Sequence, residues 1–255
     1  MADRSRLTLV HDRSATLAAA AAIDGWMTPA QGERLWEVAA EVPPGGAIAE
    51  IGSYRGKSAV VLASAAPDGV TITAIDPHAG NDRGPQQIHG TIDEGRSDHE
   101  AFCANLAAAG VADRVRHVRA FSHDALEEVS GQLDVLYIDG AHRVGPARDD
   151  IVRWGAKVAP GGTLLIHDAY SSVGVTLALL TTLIPGRRFR YLGRDGSLTR
   201  YRREDLHGGS RAGNTGRQVI ELGWFARNVL IKALLVARLG RVARLLGHDG
   251  ETWPY

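Results

Sequence analysis

Nine polar or glycine residues sit where predicted strands run into loops: Glu50, Gly52, Asp76, His78, Ser122, Asp139, His142, His167 and Asp168. Glu50-Ile51-Gly52-Ser53-Tyr54-Arg55-Gly56-Lys57-Ser58 forms a glycine-bearing turn between an apolar run and a helix. Such a turn lets backbone pass close to a ligand, and the helix start behind it offers free N–H groups. The next strand closes on Asp76, an acid that can accept hydrogen bonds from both hydroxyls of a ribose. His142 follows the strand-ending Asp139 by three residues. An imidazole titrates near working pH and suits a general base, and Asp139 or Asp168 could orient it or raise its pKa.

Each feature has a plainer explanation. The glycines could serve a tight turn, and Asp76 before Pro77 could cap a helix or a turn. His142 could be a polar loop residue, and exposure accounts for His89. The turn is neither a phosphate loop, since only three residues separate Gly52 from Gly56, nor a Gly-x-Gly-x-x-Gly dinucleotide turn. Asp149 and Asp150 read as a solvated helix face without chemistry.

The elements that must position these residues alternate. Helices are predicted at 29–41, 56–66, 99–110, 123–129, 146–158 and 174–184. Strands are predicted at 47–52, 70–76, 114–120, 133–139 and 163–168. Alternation of this kind predicts an α/β fold, a doubly wound and mostly parallel sheet with helices on both faces. FRYLG and SLTRYR, joined by RDG, predict an antiparallel C-terminal hairpin near 189–202. Residues 78–98 read as a long polar loop of the kind that binds ligands.

Lys+Arg and Asp+Glu both number 29, so no global charge argues for a nucleic-acid partner. The single cysteine, Cys103, excludes an intrachain disulfide and fits a reducing, cytoplasmic setting. The Ala-rich stretch near the start is too short to span a bilayer.

Taken in order, E-I-G-S-Y-x-G-K-S, A-I-D-P, L-D-V-L-Y-I-D-G-x-H and A-P-G-G-T-L-L-I-H-D-A-Y resemble the class I S-adenosylmethionine methyltransferases. The similarity is to the bacterial branch with Asp-Gly-x-His and His-Asp motifs, and it covers roughly residues 24–204. It implies a Rossmann-like methyltransferase domain over 1–204 with S-adenosylmethionine as cofactor. On that resemblance Glu50, Gly52 and Gly56 line the methionine half, helped by Ser53, Tyr54 and Ser58. Asp76 holds the ribose, Phe121 and Ser122 lie by the adenine, and Asp139 sits under the sulfonium. His142, Asp139 and His167 form the catalytic set. Metal-dependent relatives imply Asp139, His167 and Asp168 as ligands of Mg²⁺ or another divalent cation, although a histidine departs from an all-oxygen set. The expected reaction is methylation of a small-molecule hydroxyl on a sugar, glycoside or secondary metabolite. N- or carboxyl-methylation and a non-catalytic, membrane-peripheral scaffold are the alternatives.

Residues 205–216 read by composition as a flexible linker. Residues 217–255 form an extension with one amphipathic helix over 217–247, carrying Val219, Trp224, Leu230, Leu234, Leu235, Val242 and Leu246 beside Arg227, Arg238 and Arg241. It could pack on its own domain, join a second subunit in a homo-oligomer such as a dimer, contact a membrane surface peripherally, or cover the active site.

Overall fold

The computed structural model describes residues 12–80 and 90–248. His89 and the segment 81–89 lie outside the described residues. The chain opens with helices α1 (Arg13–Ala21) and α2 (Pro29–Ala40). Thr28 and Gln31 form a capping box at the start of α2, where Pro29 occupies the first turn. There follow β1 (Ala47–Ile51), α3 (Lys57–Ala65), β2 (Thr71–Ile75), α4 (Ile92–Ala108), β3 (Val115–Val118), β4 (Leu133–Ile138), α5 (Val144–Arg153), β5 (Val158–Ile166) and α6 (Val173–Thr181). The hairpin β6 (Phe189–Asp195) and β7 (Leu198–Arg203) precedes α7 (Gly208–Val236) and α8 (Gly240–Leu245).

The seven strands have the order β3-β2-β1-β4-β5-β7-β6. The first five are parallel, and β7 runs antiparallel to both β5 and β6. The doubly wound, mostly parallel sheet with its antiparallel C-terminal pair is thus as the sequence predicts. Strand alternation sends Ala49, Ile51, Leu136 and Ile138 to one core, shared with Trp154 of the α5 side. Ile48, Tyr137 and Leu165 point to the other, with Val61 and Leu62 of α3 and Phe102 of α4. The chain reverses direction across the sheet between β1 and β4, which opens a crevice beyond their carboxyl ends.

Four expectations need correction. Helix α4 begins at Ile92, inside the predicted 78–98 loop, because Thr91 and Glu94 form a capping box that starts it early. The predicted helix at 123–129 is a single 3-10 turn, Ala125–Glu128. Helix α7 starts at Gly208, so most of the predicted linker is helical: Asn214 anchors it by accepting from Tyr191 N at 2.7 Å. The predicted 217–247 helix is broken after Val236, where Arg238 takes φ 59°. Trp224 and Phe225 pack against the core, one of the placements open to this helix, and the Arg194 guanidinium stacks 3.9 Å above the Trp224 ring.

Candidate active site

A cavity of about 390 Å³ occupies the crevice at the carboxyl ends of β1, β2, β4 and β5. The turn after β1 enters it through Gly52, at φ 86°. A Cβ on Gly52 would lie 2.1 Å from the Asp139 carbonyl oxygen, so glycine is needed where the β1 and β4 loops cross. Ser53 N and Tyr54 N donate to Asp76 Oδ2 at 3.0 and 2.8 Å, and His78 N donates to Asp76 Oδ1 at 2.7 Å. One carboxylate therefore fixes the turns after both β1 and β2. With about four lone-pair positions it retains capacity for a further donor facing the cavity. The His78 ring lies with Nε2 2.7 Å from Tyr54 O and also lines the cavity.

Gly52, Ser53, Tyr54, Ser58, Phe121 and Ser122 all line the cavity with Asp76 and Asp139. Glu50 and Gly56 do not. Glu50 shares the face of Ile48, toward α3, where it is fully buried and accepts a hydrogen bond from Ser58 Oγ. Burial pushes its carboxyl up to about 8, against the opposing hydrogen bond from Ser58. Gly56, at φ 84°, packs against the Phe102 ring of α4. Both residues shape the turn from behind.

Asp150, which the sequence places on a solvated face, is buried and lines the cavity. Ser122 Oγ donates to it at 2.5 Å, and burial raises its carboxyl to about 6. Its spacing from Ala147 and Ile151, both buried, is the helical signal that could have found it. Trp26 also lines the cavity, its ring centroid 5.3 Å from that of Tyr54. No motif marks it in the sequence.

The β4 and β5 loops bring two acids and two histidines together. Tyr137 Oη donates to Asp139 Oδ2 at 2.9 Å. His142 Nε2 lies 2.5 Å from Asp168 Oδ2. His167 Nδ1 lies 3.1 Å from Asp139 Oδ1 and 3.4 Å from Asp168 Oδ2, ion-pair distances without hydrogen-bond geometry. Its Nε2 meets Gln31 Oε1 of α2 at 3.2 Å. Burial alone would lower both histidines. The carboxylates outweigh it, so His142 is raised, chiefly by Asp168, and His167 is raised well above its ordinary value, by Asp139 and Asp168. Burial would raise Asp168, yet the His167 charge and the His142 contact hold it below the usual carboxylate range. Asp168 sits at φ 55° and Tyr170 at φ 57°, a strained turn closed by Ser171 N and Ser172 N on Asp168 O.

Among the described residues, the group whose ligand atoms converge within 4.8 Å is Asp139, His142 and Asp168. His142 thus takes the position expected for His167, whose outer nitrogen is turned to Gln31. Asp168 Oδ1 is buried with no partner, so this set offers an oxygen that a cation could satisfy.

Residues 49–169 match the family model described as "Methyltransferase domain". Solved structures share the fold. The methyltransferase PaMTH1 of Podospora anserina, bound to SAH, superposes with a TM-score of 0.56 at 18% identity, over 76% of this chain and 88% of that one. An O-methyltransferase from Bacillus cereus in complex with SAH gives 0.53 at 17% identity, over 80% and 93%. The O-methyltransferase NovP gives 0.53 at 18% identity, over 70% and 83%. Residues 49–169 thus match a methyltransferase domain, and the solved neighbours share the Rossmann-like fold of the sheet and its helices.

Proposed function

We propose that the protein transfers a methyl group from S-adenosylmethionine to a hydroxyl of a small molecule, with His142 as general base. The observation that carries this reading is the convergence of Asp76, Asp139 and His142 on one cavity at the sheet's switch point. The match of residues 49–169 to a methyltransferase domain, and structural neighbours named as O-methyltransferases, support it. A sugar, a glycoside or a secondary metabolite is the expected acceptor class.

The cofactor, when bound, supplies an electrophilic methyl group on a sulfonium. The chain's part is to align and deprotonate the acceptor. Asp76 retains acceptor capacity for one ribose hydroxyl, beside the Ser53–Tyr54 turn that it orders. Asp139, fixed by Tyr137, would supply negative charge to a sulfonium held in this cavity. Anionic Asp168 favours the proton of neutral His142 on Nε2. That leaves Nδ1, buried and without a partner, as the basic nitrogen.

Asp139, His142 and Asp168 would hold a divalent ion, which would supply positive charge beside the acceptor oxygen. His142 would then be a ligand and not the base, so the two roles exclude each other. Calorimetry with S-adenosylmethionine and its demethylated product tests the foundation: no binding of either ends the proposal. Incubation with methyl-labelled cofactor and cell extract, with Mg²⁺ and with a chelator, then reveals the acceptor. A rate unchanged by the chelator assigns His142 to the proton, and a rate abolished by it assigns His142 to the metal.

A further inference from the structure

Over 223–237 the polar side chains of α7 are turned inward, among buried apolar ones such as Ile231: Asn228 is buried, and Lys232 Nζ donates to Ser171 O at 3.0 Å. Arg227 Nε donates to Leu246 O at 2.7 Å. The exposed residues from 223 to 237 are Gly223, Ala226, Val229, Leu230, Ala233, Val236 and Ala237, without a polar side chain among them. Their spacing of three and four makes one continuous stripe along the helix. Val236 is 77% exposed and Leu230 49%.

Beyond the break the pattern changes. Leu239, Val242 and Leu245 remain exposed, and Leu245 is 86% accessible. Each follows directly on an exposed arginine, Arg238, Arg241 or Arg244. Apolar and basic rows therefore run side by side at a spacing of three. From 222 to 248 the chain holds Arg227, Lys232, Arg238, Arg241 and Arg244 and no acidic residue. No helix of the described residues is long and apolar enough to cross a membrane.

We propose that this face, the outer stripe of α7 with the arginines of α8, lies on the surface of an anionic lipid bilayer. An apolar face flanked by basic residues is what inserts shallowly at the headgroup boundary, and each arginine near such a surface adds attraction. Charge decides against a second copy of the chain. Pairing two such surfaces would juxtapose Arg238, Arg241 and Arg244 of both copies, and Glu221, just before this stretch, is already bound by Arg194 and Tyr191. The inference is independent of methyl transfer.

Flotation of the full chain with vesicles tests it. We expect the protein to float with phosphatidylcholine vesicles containing phosphatidylglycerol, to stay behind with phosphatidylcholine alone, and to be released by salt. Replacing Arg238, Arg241 and Arg244 together by alanine should weaken partitioning about a hundredfold. Val236→Ser with Leu245→Ser should also lose flotation. All five positions are exposed, so thermal melting should not change in either variant, which separates lost binding from misfolding. Equal flotation on both vesicle types, or none on the anionic ones, overturns the proposal. So does a dimer in analytical ultracentrifugation that Leu230→Arg dissociates while vesicles go unbound.

Discussion

His142 Nε2 and Asp168 Oδ2, 26 residues apart in sequence, meet at 2.5 Å in a buried contact between the β4 and β5 loops. The carboxylate holds the imidazole's pKa above its ordinary value despite burial. A base acts only when neutral, so the rising limb of kcat/KM against pH should lie above the ordinary histidine range. In Asp168→Asn the attraction is lost and the limb should move to lower pH. His142→Ala should lower kcat by about 10²–10⁴-fold. A variant that keeps its rate removes the base.

Asp76 is bound by three backbone N–H groups, so Asp76→Ala has two effects. Cofactor affinity should fall by about tenfold or more, and the melting temperature should fall with it. Glu50→Gln should leave affinity within about threefold, since its side chain faces α3 and not the cavity. Isothermal calorimetry on both variants separates the two; an equal loss would contradict the placement of Glu50.

Glu50 also makes stability depend on pH. Its folded carboxyl titrates at about 8, against 4.5 as the ordinary value. Between those values the folded state holds a proton that the unfolded chain has released. Stability should therefore fall as pH rises through this window, by about 5 kcal/mol at most for this one group. Urea denaturation at about pH 6 and about pH 9 should show the slope, and Glu50→Gln should reduce it, leaving the part due to the raised His142, His167 and Asp150.

Gly52→Ala places a methyl group 2.1 Å from the Asp139 carbonyl at a residue with φ 86°. We expect a loss of about 1–3 kcal/mol in stability and a larger fall in activity, because the shift moves Asp139 itself. Denaturation and initial rates on the same preparation check both.

Much of this was legible in the residues. Apolar runs ending in Glu50-Ile51-Gly52, Asp76, Asp139 and His167-Asp168 mark four of the parallel strands, though not their order in the sheet. They also identify most of the cavity wall, because in parallel sheets the loops after strands converge. Which nitrogen meets which carboxylate was not legible. His142 and His167 are interchangeable as letters, and only the turn of the His167 ring toward Gln31 separates them. Asp150 escaped because two adjacent acids on a helix suggest solvent, although one of them lies in line with Ala147 and Ile151. The 205–216 segment looks like a linker from its glycines, but Asn214 and Gln218 spend their side chains on the hairpin and on α7 itself and hold it helical.

The amine of Lys232 is tied to Ser171, three residues past Asp168. A shortened chain ending near residue 205, an attractive choice for crystallisation, would cut this tether. It would leave the strained turn that carries Asp168 without its outer brace. Binding or rates measured on such a fragment would describe a loosened version of the site.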